Sequence, residues 1–432
     1  MLLALLAAMA LPLAAEEEVE LTHVNVMPPR YVRDGVPLTV WGNTNRGRQP
    51  APDALSCSWQ FDTGGAAELH VTQDSLHGPV TDGRHIAITA GFTVKNADSA
   101  TVTATLTVGN GTKELSASTQ LTVLTPSDPR TDTAAEALEI DRLIAIERAL
   151  HYLYRKQRED GTWCRETPMY GHGEQIASTA TAVWAFANNG CTIDGDPGHR
   201  IYQPVVAAGL ESILRESEYH PIAETPCGDP DMNGNGRGCI LGGAMSAEPG
   251  YRGDGYTRGM CLAALCAAGT PDGRTAVAPF NNDGAGTTYF DIVQDAVDFQ
   301  YWTLGNNSKG GWGYSYSNNS PWGSFCDNYA DLSIASWNYV AIDGALEFGA
   351  AMPDWVQEQC ETLLVNTLNE DGSFGYGRPG ISRPALNGSA LTGLCFIMRN
   401  GREPLIDAGR MFVRLLAFMG RNWREIPWQT GP

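Results

Sequence analysis

From about residue 18 to residue 124 apolar and polar side chains alternate in short runs, and beyond residue 134 a helical period replaces the alternation. Successive side chains of a strand face opposite sides of its sheet. The first pattern therefore predicts strands at Val19–Val26, Pro37–Trp41, Ala54–Phe61, Glu68–Thr72, His85–Val94, Thr101–Val108 and Lys113–Leu124. The last three are rich in Thr, Val and Ile, with Asp82-Gly83 and Gly109-Asn110-Gly111 as turns. Short strands at this spacing predict an all-β immunoglobulin-like sandwich over residues 16–124. Cys57 stands two residues before Trp59, but this region holds no second cysteine for the bridge of an antibody-type domain.

Residues 125–133, which include Thr125-Pro126-Ser127-Asp128-Pro129, read as a linker. Ala134–Tyr154 follows as an amphipathic helix, with Leu138, Ile144, Ile146 and Leu150 among its apolar positions and Asp132 or Thr133 as its cap. Small-residue-rich helices separated by glycine-rich loops then continue to the end, predicting an all-α domain over 134–432.

A repeat lies inside that helical region. Gly161-Thr162-Trp163 is echoed by Gly310-Gly311-Trp312 and by Gly372-Ser373-Phe374. Each corner precedes a helix expected to stop at a glycine: Gly190, Gly344 and Gly401, at offsets of 27, 32 and 27 residues from the aromatic. Gly259–Ala268, ending at Gly269, is a fourth and degenerate copy. Near-constant offsets are what a repeating pair of helices produces.

These corners resemble the glutamine–tryptophan repeats of the squalene cyclase and protein prenyltransferase superfamily, the prenyltransferase/squalene oxidase or terpenoid cyclase-like repeat family. The resemblance covers roughly 135–420, and only the first copy keeps the family's glutamine, Gln157. It implies an α/α toroid, an inner ring of helices wrapped by an outer one, with Gly-x-Trp turns tying the units together. A fold of this kind hosts several chemistries, so function has to come from the residues.

The family's known chemistries lack their residues here. A cyclase protonates an alkene from an Asp-x-Asp-Asp run, and the near match Asp229-Pro230-Asp231-Met232 lacks the last acid. A prenyltransferase needs zinc on Asp, Cys and His, yet all 8 His lie at or before 220 and Cys326-Asp327 is adjacent rather than spaced. Tyr170–Gln175 resembles the Gly-Cys-Gly-Glu-Gln thioester of the complement and macroglobulin proteins, but His172 replaces the cysteine, and without that sulfur no thioester forms. Its other reading is a glycine-rich turn that leaves Glu174 at a helix start, where the dipole favours an acid.

Asp229, Asp231 and Asn233, followed by Gly234, match the first half of a calcium loop, although Ile240 stands where the bidentate acid belongs. The alternative is a solvated acidic loop pinned by a disulfide between Cys227 and Cys239, with Cys164–Cys191 a weaker pair. Calcium is thus the one candidate cofactor; no other is expected.

In a toroid the segments just before the inner helices meet at one mouth. They supply His172, Glu174, Arg252, Asp254, Asp327, Asp331 and Arg383, with Tyr256, Trp312, Tyr314 and Trp322 as walls. Aromatics beside Arg or Asp suit a saccharide or an apolar cation, and a His among carboxylates suits acid–base work. The competing reading makes the aromatics packing residues and the polar groups helix caps.

Charge narrows the partners. With 29 Lys+Arg against 49 Asp+Glu the net charge is −20, and without a basic patch such a chain is repelled by nucleic acid. Leu2–Ala15 is apolar and precedes Glu16-Glu17-Glu18, which reads as a signal peptide over 1–15, with no integral membrane segment after cleavage. Expected, then, is a secreted or periplasmic two-domain protein that holds a small-molecule or saccharide ligand without catalysis. The alternative is an enzyme, either a terpenoid cyclase-like isomerase or a polysaccharide lyase or hydrolase working at the mouth.

Overall fold

The computed structural model describes residues 20–27, 30–44, 55–71, 85–164, 172–194, 201–243, 255–277, 279, 287–314, 330–400 and 406–422, the side chains of 172, 173 and 406 excepted. The expected signal peptide, 1–15, lies outside the described residues. The chain combines β-sheet in its N-terminal region with a mainly helical remainder, and divides into two compact units, Met1–Glu159 and Asp160–Pro432.

In the first unit the strands are β1 (Asn25–Met27), β2 (Tyr31–Arg33), β3 (Leu38–Asn43), β4 (Ser56–Asp62), β5 (Ala67–Val71), β6 (His85–Val94), β7 (Ser99–Gly109) and β8 (Glu114–Leu124). They form one sheet ordered β1-β3-β6-β5 and a second ordered β2-β8-β7-β4, in which β2 joins β8 in parallel and the other pairs are antiparallel. The alternation works as read. Along β7, Ala100, Val102, Ala104, Leu106 and Val108 are buried, while Thr105 and Thr107 hydrogen-bond Ser118 and Ser116 of β8 on the other face. Residues of both sheets share one core with Leu21, Val40, Trp59, Ile86, Ile88, Phe92 and Val102. Gly42 permits the close approach of the sheets: a Cβ there would meet Leu106 Cδ2 at 2.1 Å.

Helix α1 (Ala134–Lys156) opens with the capping box of Thr133 and Glu136. It belongs to the first unit, not to the helical region that begins the second. Its buried side chains are Ile140, Leu150 and Tyr154. Asn43 donates to the Tyr154 hydroxyl, the His151 ring meets Trp41 edge-on at 5.7 Å, and the Arg155 guanidinium lies 3.8 Å from the centre of the Trp41 ring. Arg33 pairs with Asp141 at 2.8 Å. These attachments to β2 and β3 move the boundary from the expected 125–133 linker to residue 159.

The second unit contains α2 (His172–Ala187), α3 (Gln203–Arg215), α4 (Gly255–Ala268), α5 (Tyr289–Gly305), α6 (Leu332–Glu347), α7 (Trp355–Thr367), α8 (Pro384–Asn400) and α9 (Ile406–Asn422). Helices α2, α4, α6 and α8 form a row, each packed on the next; α3, α5, α7 and α9 pack against members of that row. The region is not all-α, because β9 (Glu218–Pro221) and β10 (Arg237–Ile240) make an antiparallel hairpin. Its four-residue strands are too short to show a period, and they are held because Ile240 packs with Ile222, Phe299 and Trp302. No helix among the described residues is long and apolar enough to cross a membrane.

The three glycine–aromatic corners are built alike. Gly161, Gly310 and Gly372 have φ of +86°, +76° and +92°. A Cβ on each would lie 2.3 Å from the Ala208 carbonyl oxygen of α3, 2.2 Å from that of Gln359 in α7 and 2.8 Å from that of Arg414 in α9. Trp163, Trp312 and Phe374 are buried. In the first and third corners the aromatic N–H donates to a side chain of the next row helix, Thr179 in α2 and Asn387 in α8, each at 3.0 Å. One expected stop moves: α6 runs through Gly344 to Glu347, and Gly349, at φ +106°, follows its end.

Candidate functional site

The repeat brings tyrosines to the N-terminal ends of the row helices. Tyr314 and Tyr376 each stand two residues beyond a corner aromatic, in Trp312-Gly313-Tyr314 and Phe374-Gly375-Tyr376. Their carbonyls accept the first N–H of a row helix: Gly255 of α4 donates to Tyr314 at 3.3 Å, and Leu332 of α6 to Tyr376 at 3.1 Å. An unpaired helix-end donor is thereby satisfied in each case. The second residues of those helices, Tyr256 and Ser333, hydrogen-bond one another through their hydroxyls.

Asp331 anchors this cluster. As the N-cap of α6, its Oδ1 accepts from the N–H groups of Ser333 at 2.9 Å and Ile334 at 3.0 Å and from the Ser333 hydroxyl at 2.6 Å. The residue is fully buried (0% exposed), and its Oδ2 has no hydrogen-bond partner among the described residues. A buried, unpaired carboxylate oxygen is costly. Outward from it, the hydroxyls of Tyr314 and Tyr376 lie 2.9 Å apart, and the rings of Tyr256 and Tyr314 are 5.8 Å apart at 54°. Tyr314 and Tyr376 are 43% and 40% exposed, so the cluster opens to solvent through two phenol rings.

Both Tyr256 and Tyr314 are held protonated. Burial is the main cause that pushes Tyr256 up, with the Ser333 bond opposing and Asp331 adding to it. Tyr314 is raised far above the usual phenol range, first by its bond to Tyr376 and then by burial. Hydroxyls this reluctant to ionise serve as neutral hydrogen-bonding groups, not as bases.

Of the expected site residues, Tyr256 and Asp331 meet here, together with Tyr314. Trp312 does not: it is buried, its Nε1 donates to the Gln300 carbonyl at 3.1 Å, and its ring meets Tyr339 edge-on at 5.7 Å, so it packs the repeat. Glu174 lies half-buried in the first turn of α2, and Arg383 is exposed just before α8. Arg252, Asp254, Trp322 and Asp327 lie outside the described residues, as does the side chain of His172, the first residue of α2. Gln175, the glutamine of the thioester-like run, donates to the Thr162 hydroxyl at 3.0 Å. Sequence reasoning missed Ser333 and Tyr376 as site residues. The equivalence of Gly-Tyr314 and Gly-Tyr376 in two copies of the repeat was the available signal for the second.

The side chains of the expected calcium loop make hydrogen bonds within the chain. Both carboxylate oxygens of Asp231 are taken by backbone N–H groups, Oδ1 by Gly234 and Asn235 and Oδ2 by Gly236. Asp229 accepts from the Asp231 N–H, and Asn233 turns its amide nitrogen to Asp295 at 2.7 Å. Among the described residues no group of three or more His, Cys, Asp or Glu is placed to hold a metal ion. The loop instead covers two buried carboxyls of α5. Asp295 accepts from Asn233, Asn235 and Arg237, and Asp298 from Gln294 and the Met232 N–H. The expected Cys227–Cys239 bridge is also not formed, nor is Cys164–Cys191; all four are free thiols. Cys239 is buried in β10 opposite Tyr219, whereas Cys227 lies in the tight turn between Thr225 and Gly228.

No family model matches the chain, and no curated protein does. Among solved structures, native alpha-2-macroglobulin of Escherichia coli is similar at 10% identity and a TM-score of 0.30, over 94% of this chain and 25% of that one. Salmonella alpha-2-macroglobulin reacted with methylamine is similar at 11% identity and a TM-score of 0.28, over 94% of this chain and 26% of that one. A C-terminal portion of the Escherichia coli protein gives 11% identity and a TM-score of 0.24, over 93% and 53%. The chain thus spans about a quarter of the length of the first two, and likeness at these scores carries no argument about fold or function.

Proposed function

We propose that the chain is an exported, non-catalytic binding protein, with an immunoglobulin-like sandwich in its first unit and an α/α toroid-type repeat in its second, that holds a saccharide at the tyrosine-lined end of the helix row. The observation that carries the reading is the linked set of hydroxyls. Two half-exposed phenol rings offer faces for stacking, and their hydroxyls are tied through Tyr256 and Ser333 to a buried carboxylate. Preorganised polar groups beside aromatic faces suit a polyhydroxylated ligand. Binding is favoured over turnover because Asp331 is committed as a helix cap: three donors fix one of its oxygens. Export rests on the apolar Leu2–Ala15 run ahead of three glutamates.

Isothermal titration with cellopentaose, xylopentaose, maltopentaose and chitopentaose tests the reading. At least one should bind, and Tyr314→Phe with Tyr376→Phe should weaken it by about tenfold, the worth of one or two ligand hydrogen bonds, without moving the melting temperature. Binding by none of the panel, or unchanged binding by the double variant, would overturn it.

A further inference from the structure

A cavity lies at the other end of the helix row. Tyr256 of α4 and Ser333 of α6 meet at the starts of their helices. At the finishes, Gly269 just past α4 and Phe348, the C-cap of α6, line one recess, so these two helices run parallel. Asn188, just past α2, lines it too. With 14 residues in α4 and 16 in α6, the two ends of the row stand about 21–24 Å apart. The recess has a volume of about 380 Å³, within the range of small-molecule sites. Side-chain size makes the hollow. α4 turns Ala263, Cys266 and Ala267 to it, three and four residues apart and hence on one face, and the bulkier Trp184 of α2 and Val340 of α6 flank that floor.

Charge at the recess is one-sided. Asp343 and Glu347 of α6 line it, and no Lys, Arg or His is among its described lining residues. Arg399 of α8 pairs with both carboxylates, and one guanidinium against two acids leaves a negative charge. Asp343 spends its two oxygens on Arg399 and Asn400, whereas Glu347 gives Arg399 only Oε1. The C-terminal ends of three helices add roughly half a negative charge each. Next to the lining residue Gly269, Thr270 donates to Asp194 at 2.9 Å, which brings one more acid close. Trp184 and Phe348 supply aromatic rings, the first held edge-on by Trp337 at 5.8 Å, and a π face attracts a cation. We propose that this recess is a second ligand site, independent of the tyrosine cluster, and that it takes a small organic cation, an ammonium group carried on an apolar body. The body fills the hollow over α4, with the ammonium toward Trp184 and Glu347. A bare metal ion is poorly matched, because Arg399 already engages both carboxylates and the floor is carbon and sulfur. An anion would meet two acids and three helix carbonyl ends.

The test is isothermal titration of the full chain with benzyltrimethylammonium, benzyl alcohol and benzoate, which share an aromatic body and differ in charge. The ammonium should bind about tenfold tighter than the alcohol, and benzoate should bind weakest. Glu347→Gln should weaken the ammonium about threefold, and Arg399→Gln, which removes a competing cation, should tighten it about threefold. Ion pairs that serve only to hold the helices predict weaker binding in both variants. Both side chains are more than half exposed, and melting temperatures check that each variant folds. On the unaltered protein the preference for the ammonium should shrink as salt is raised. Equal binding of the three probes, no saturable binding of the ammonium, weaker binding in Arg399→Gln, or a preference indifferent to salt would each overturn the proposal.

Discussion

The two units bury ionisable groups in opposite ways, and the contrast shows how each architecture disposes of polarity. In the first unit His151 on α1 is pressed against Trp41, and burial, with Arg155 and His85 adding to it, lowers its pKa to about 3. In the second, Asp298 on α5 is fully buried under the loop over 229–237, and burial pushes it up to about 8 against the bonds from Gln294 and Met232. Each unit keeps its buried group neutral. A sheet sorts polar and apolar side chains by parity, so little that is ionisable enters its core. A helix packed between a row and a hairpin has no uncovered face, and Asp295 and Asp298 need partners from a distant loop.

The largest expected effects are therefore opposite pH dependences. Asp298 holds a proton in the native second unit that the unfolded chain releases above 3.8. Its stabilisation is complete below that value and is lost as pH rises through about 8. For His151 the stabilisation is complete above 6.5 and is lost as pH falls toward 3. Hydrogen exchange followed separately in peptides of each unit should show the second weakening between pH 5 and 8.5 and the first between pH 6.5 and 4, by a few kcal/mol in order of magnitude. Asp298→Asn should flatten the trend in the second unit and His151→Phe that in the first. Parallel pH responses in the two units would break the comparison.

Next in size is the replacement of a corner glycine. Gly310→Ala places a Cβ 2.2 Å from the Gln359 carbonyl in a left-handed conformation, and should cost about 2–4 kcal/mol. Gly64→Ala, at φ +55° with nothing near its Cβ, should cost about 1–2 kcal/mol in the first unit. Urea melts read both. Smallest is Thr133→Ala, which removes the capping box of α1 and should cost about 1 kcal/mol. That loss should appear in the first unit's transition, where α1 resides; a loss in the second would restore the expected boundary at 134.

These differences also explain what was readable in the residues alone. The alternation in β6, β7 and β8 reflects a geometric constraint acting every second residue, and it marks the buried face directly. The glycine corners were visible because a left-handed turn against a helix carbonyl admits only glycine. Tyr256, Tyr314 and Asp331 were reached by asking what precedes each row helix. Ser333 was not, because one serine at a helix start looks like any capping partner until its neighbours are in place. Asp295 and Asp298 went unremarked in the sequence, since the loop groups that cover them lie about sixty residues away in the chain. The attachment of α1 to the first unit depends on pairings such as Asn43 with Tyr154, which no local pattern carries.

The central claim, that the tyrosine cluster is where a ligand sits, is open to direct observation in protein carrying carbon-13 tyrosine. The chain has 15 tyrosines, and titration with the tightest-binding pentasaccharide of the panel above should shift the resonances of Tyr256, Tyr314 and Tyr376 together and saturably, with the rest unmoved. Saturable binding that leaves those three in place and shifts tyrosines elsewhere would contradict it.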